Sequence, residues 1–161
     1  LWLCRRRHRN SSYSSRMVFY SKGGRKMIVN TIEELSLYPV EKRGIPNGER
    51  IPIYVKETLN IGCYGIMVGS KGVDNTVNPF QDNFFWFGDA VLNKGDWIML
   101  YTGKGDPKAD DWKEYPGAKI YSIHWGRSST MFANTSIVPV LFKVDAVNVG
   151  IGPIDVPQLG N

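Results

Sequence analysis

The chain has 161 residues, 42% hydrophobic and 22% charged, enough for one domain with a core. No apolar run approaches the roughly 20 residues of a membrane-spanning helix. The formal charge of +5 suggests nucleic acid, but its distribution argues otherwise. Residues 1–26 carry eight Lys or Arg and no acid, leaving 12 basic residues against 15 acidic ones, a net −3, in residues 27–161.

The basic segment 1–26 admits three readings. It is Arg- and Ser-rich and acid-free, as a transit peptide is. It could be a basic arm for nucleic acid. Or it precedes the native start. Lys22-Gly23-Gly24-Arg25 favours the third, since AAA-GGA-GGT-AGA contains a bacterial ribosome-binding sequence at start-codon distance from Met27. This predicts a body that begins at Met27, without a signal peptide, in a bacterial cytoplasm. Cys4 lies in the tail, so Cys63 is expected to be a lone, buried structural thiol in a reducing compartment.

Thr31–Leu37 (TIEELSL) predicts one short helix, capped by Asn30 or Thr31, with Glu33 and Glu34 in its first turn and an end before Pro39. Beyond Arg43 the chain reads as strands and turns. ERIPIYVKE alternates Ile51, Ile53 and Val55 against Pro52, Tyr54 and Lys56, a half-buried strand that Pro52 marks as an edge. CYGIMVG is a short apolar strand, and a polar loop is expected from Ser70 to Asn83. FFWFGD, DWIMLYTG, KIYSIHWG and IVPVLFKVDAV give further strands. Residues 151–161 read as a loose tail. The expected fold is all-β, an antiparallel sandwich or barrel with one short N-terminal helix, forming a single domain over 27–150.

Gly103-Lys104-Gly105 hints at a phosphate loop. The hint fails: Lys104 is followed by Gly rather than Ser or Thr, residue 98 is not Gly, and no helical pattern follows. The segment reads instead as a hairpin turn at Asn93–Asp96, a returning strand and an exit loop, so no nucleotide is expected. His124 with Ser128 or Ser129 lacks a nucleophile elbow. Asp110, Asp111 and Glu114 fit a solvated loop, and Asp74 and Asp82 lack the Gly and Glu of a calcium loop. No catalytic, cofactor-binding or metal residue is assigned. The alternatives to a binding module are a small hydrolase using these loop Asp and His residues, or nucleic-acid binding through the basic tail.

Phe84 to Phe87 (FFWF) put rings on both faces of one strand. One pair belongs to the core, and the other needs cover from a loop, the helix or another molecule. With the 105–118 loop, this marks Phe85, Phe87, Trp112 and Tyr115 as the candidate interaction surface, for a protein partner or a second copy.

Leu92, Gly95, Thr102, Gly103, Gly105, Trp125 and Gly126 occur in the order of a known pattern. In it a leucine precedes a glycine turn, a strand ends in Thr-Gly-x-Gly, and Tyr-Trp-Gly follows. Phe132 and Asn134 stand where Trp and Asn are usual. Residues 50–147 thus resemble lamin-tail domains, particularly bacterial ones. The insert DPKADDWKEYPGA and the segment SIVPVLF depart from the pattern. The resemblance implies an immunoglobulin-like β-sandwich that serves as a non-enzymatic interaction module, with Leu92 and Trp125 in its core. Trp97, in the returning strand, is expected to join them.

Overall fold

The computed structural model describes residues 16–20, 26–72, 76–148 and 150. The expectations for residues 1–15, 21–25 and 151–161, and for Asp74, concern residues outside these. Strands dominate: β1 Arg16–Tyr20, β2 Lys26–Asn30, β3 Leu35–Leu37, β4 Arg50–Val55, β5 Leu59–Asn60, β6 Tyr64–Lys71, β7 Val77–Trp86, β8 Val91–Leu92, β9 Trp97–Tyr101, β10 Lys108–Asp111, β11 Lys119–His124 and β12 Ile137–Lys143. They form a five-stranded sheet in the order β10-β11-β9-β4-β3, a three-stranded sheet β12-β6-β7, and two small ladders, β1-β2 and β5-β8. Met27, the expected start of the body, lies in β2 and pairs with Phe19 of β1. Among the described residues no helix is long and apolar enough to cross a membrane.

The expected helix is absent. Residues 31–34 are irregular, and Leu35–Leu37 form β3, with Leu35 opposite Val55 and Leu37 opposite Ile53. Seven residues before a proline are too few to stand alone as a helix, whereas Leu35 gains a place in the core. The one helical element among the described residues is a 3-10 turn at Ile61–Cys63, capped by the Asn60 side chain.

The expected Ser70–Asn83 loop is largely strand. β7 takes up Val77–Trp86 and pairs with β6, with a register shift between Met67 and Gly69. Nor is the larger sheet purely antiparallel. β11 runs parallel to β9, Ile120 opposite Trp97. A parallel neighbour needs a connection of about a dozen residues or more. The charged 106–118 insert supplies it, and part of that insert is β10, which returns antiparallel along β11.

Pro52 is not on an edge strand, because β4 lies between β9 and β3. Its carbonyl accepts from Tyr38 N–H, just past the short β3, so its missing N–H faces the same side. The Asn93–Asp96 turn forms, with Gly95 at φ 99°, but it is no hairpin: β8 pairs with β5, and β9 with β4 and β11.

The inward sides of the two larger sheets supply one apolar cluster. Ile51, Ile53 and Val55 of β4, Ile98 and Leu100 of β9, and Ile66 and Val68 of β6 are buried in it, with Leu92, Phe87 and Phe132. Each such side chain removed from water contributes about 1.5–3 kcal/mol. Cys63 is half-buried and disulfide-bonded, not a lone thiol, so it gives no ground for a reducing compartment.

Candidate interaction site

Alternation along β9 buries Ile98 and Leu100 and turns Trp97, Met99 and Tyr101 to the outer face of the five-stranded sheet. Register places Tyr54 beside Trp97 on one side and Ile120 on the other. Trp97 is therefore not a core residue, as its sequence context suggests, but the centre of an outer aromatic cluster. Its ring centroid lies 5.0 Å from Tyr38, 5.1 Å from Tyr54 and 6.0 Å from Trp112, and Trp112 lies 4.5 Å from Tyr115. All these rings are tilted by 51° or more against one another, so they make walls rather than a flat platform.

Two adjoining clefts result, of about 450 and 510 Å³, which share Tyr38, Trp97 and Trp112 as walls. The first is closed by Pro52, Met99 and Ile120, the second by Tyr54, Tyr115 and Lys94. Trp112 and Tyr115 come from the insert and are held by its turn. Tyr115 N–H donates to Trp112 O, Ala118 N–H to Tyr115 O, and Trp112 N–H to Ala118 O. Asp96, fully buried, fixes the base of this turn. Its carboxylate accepts from Asn93 N–H at 2.8 Å and from Lys119 N–H at 2.8 Å, joining the starts of β9 and β11.

Charge is sparse here. Glu41 is paired with Arg50 at 2.6 Å, and Arg50 also donates to Tyr101 Oη at 3.0 Å. Burial works against the Arg50 charge, but the bonds to Tyr101 and Glu41 outweigh it and raise its pKa above the ordinary value. Lys94 is the one charged cleft residue without an ion pair among the described residues.

Of the four residues expected to form an interaction surface, Trp112 and Tyr115 join this cluster, and Phe85 and Phe87 do not. Phe87 is 2% exposed, and Phe85 packs on the core 5.3 Å from Phe87 and 5.5 Å from Trp125. The outward pair of that strand is Phe84 and Trp86, 50% and 41% exposed. Leu92 is in the core, and Trp125 is half-buried against it.

Among the described residues, no cluster of chemistry-bearing side chains forms that could hold a metal. His124 stacks on Tyr101 at 5.0 Å and 17°, and its ring also lies against Gly105, where a Cβ would come within 2.6 Å of His124 Nδ1. Gly105 is a glycine because an imidazole occupies its side-chain space, and the Gly-Lys-Gly motif is a packing device. Asp110 pairs with Lys108 in the open, and Asp82, Asp111 and Glu114 are exposed.

The sequence reading missed Glu49, which is fully buried. Its carboxylate accepts from Gly44 N–H (2.8 Å), Thr102 Oγ1 (3.1 Å), Met131 N–H (2.6 Å) and Phe132 N–H (3.1 Å). Only the glutamate just before an alternating strand could have signalled it, and that is a weak sign. Compared with known proteins, the chain matches no family model, no curated protein and no solved structure.

Proposed function

We propose that the chain is a non-enzymatic interaction module, an immunoglobulin-like β-sandwich of lamin-tail type, that binds an extended, proline-rich segment of a protein partner. The observation that carries this reading is the pair of clefts sharing Tyr38, Trp97 and Trp112. Aromatic-lined grooves take up polyproline II segments, whose preformed shape lowers the ordering cost of binding. Tilted rings give two slots for successive proline rings, and Tyr hydroxyls and Lys94 at the rim can meet backbone carbonyls. A sugar is the competing ligand for aromatic walls, but the first cleft offers its hydroxyls few polar side chains beyond Glu41, already paired with Arg50, and Tyr38. The body's net −3 disfavours nucleic acid.

The test is a tryptophan-fluorescence titration with a decaproline peptide, a Gly/Ser peptide of equal length and cellohexaose. The reading expects saturable binding of decaproline alone, weakened about tenfold or more by Trp112→Ala, since anchoring aromatics carry 2 kcal/mol or more. Binding of the sugar instead, or wild-type affinity in the variant, rejects it.

A further inference from the structure

The outer face of the three-stranded sheet is a separate surface. Residues paired across its ladders point the same way, so the register defines its rows. From one end they are Phe142, Gly65 and Trp86; then Val140, Met67 and Phe84; then Val138, Gly69 and Pro79. The Phe142 ring lies over Gly65, where a Cβ would come within 2.6 Å of its Cε1, and stands 6.1 Å from both Phe84 and Trp86. These nine positions hold no charged residue, and the one charge along this part of β7, Asp82, lies in the stretch that the register shift leaves unpaired between Phe84 and Pro79. The next row begins the charged margin, with Lys71 opposite Val77.

We infer that two copies of the chain associate reversibly through this face. Sheet faces pack on sheet faces, and a two-fold pairing needs a surface that matches itself. An uncharged face meets its own copy without repulsion and gives a charged partner nothing to pair with. A two-fold axis lying between the faces and running across the strands exchanges their ends. It sets Lys71 of each copy over the Phe142–Trp86 row of the other, a cation against ring faces. The area fits a weak dimer. Aromatic side chains bury about 150–250 Å² each, and Phe84 and Trp86 leave 50% and 41% exposed. Closing the face with its rim buries about 1,000 Å² in total, at the low end for a specific interface. The inference is independent of the peptide cleft, which lies on the other sheet.

Sedimentation velocity on the full chain tests it. Wild type should dimerise at about 50 µM, and Phe84→Ser/Trp86→Ser should stay monomeric with its circular dichroism unchanged. Met67, near the centre of the face, provides a test that does not depend on lost packing. Met67→Lys and Met67→Glu should each weaken the dimer about tenfold or more, and mixing the two should restore a mixed dimer, because only a self-facing site brings the two charges together. A wild type monomeric at about 500 µM, a dimer that survives Phe84→Ser/Trp86→Ser, or charge variants that fail to pair when mixed, would each overturn the inference.

Discussion

Glu49→Ala should be among the most damaging single changes in the chain. The carboxylate is an acceptor-only group, and four donors from three separate segments converge on it: Gly44 N–H, Thr102 Oγ1, and the N–H groups of Met131 and Phe132. A hydrogen bond to a charged group contributes about 1.5–3 kcal/mol, and a buried donor left without an acceptor costs about 1–3 kcal/mol. The four bonds form one network and do not add, so a loss of roughly 4 kcal/mol is the working figure. With a urea m-value of about 2 kcal/mol/M, the unfolding midpoint should fall by about 2 M. Glu49→Gln keeps one acceptor oxygen and turns an NH₂ toward donors, so it should lose about half as much, roughly 2 kcal/mol. The assay is urea unfolding followed by circular dichroism for both variants. A midpoint within about 0.3 M of wild type for Glu49→Ala, at unchanged m, would refute the reasoning.

Other outcomes follow from the same contacts. Leu92→Ala should cost about 2–5 kcal/mol in a urea melt, because Leu92 is 3% exposed in the core. Gly105→Ala should cost about 1–3 kcal/mol by driving a methyl into the His124 ring, with a normal melt speaking against the stack. The Glu34–Lys143 pair should make stability depend on pH. Burial pushes the Glu34 carboxyl up, but the hydrogen bonds from Lys143, a backbone N–H and Tyr64, with the Lys143 charge, together outweigh it and leave its pKa below the ordinary value. Burial pulls Lys143 down, and its bonds to Glu34 and Tyr64 raise it above. The depressed acid contributes stability above about pH 4.3, lost as pH falls through its folded value. The raised base contributes below about pH 10.4, lost as pH rises through its folded value. Lys143→Met should therefore lower the urea midpoint at pH 7 and lower it less near pH 2, where only the Lys143 contact with Tyr64 remains, and an equal deficit at both would show that the pair is not its source. Calorimetry with ATP and magnesium should give no heat attributable to Lys104.

How much of this could be read in advance depended on how local the cause was. β4 and β9 were legible because Ile51, Ile53, Val55, Ile98 and Leu100 alternate and are buried in the core. FFWF was legible as a two-faced strand, but nothing local says which face is inside. Phe85 is inward because it sits opposite Ile66, a long-range register. The helix expectation trusted a cap and two glutamates, and tertiary pairing of Leu35 with Val55 overrode it. The parallel β9–β11 pair and the Glu49 network join residues far apart in the chain, and nothing beside Cys63 in the sequence marks it as disulfide-bonded. Trp112 and Tyr115 stand out in the charged insert, but the side taken by Trp97, their neighbour, is not legible, because a tryptophan in a strand gives no sign of which face it joins.

The peptide cleft is tested most directly by the indole N–H resonances in a ¹⁵N-edited NMR titration with decaproline. The account predicts that the signals of Trp97 and Trp112 move together along one saturable curve, while those of Trp86 and Trp125, on the other sheet and at the core, stay in place. Still resonances for Trp97 and Trp112 at millimolar peptide, or shifts confined to Trp86, would contradict it.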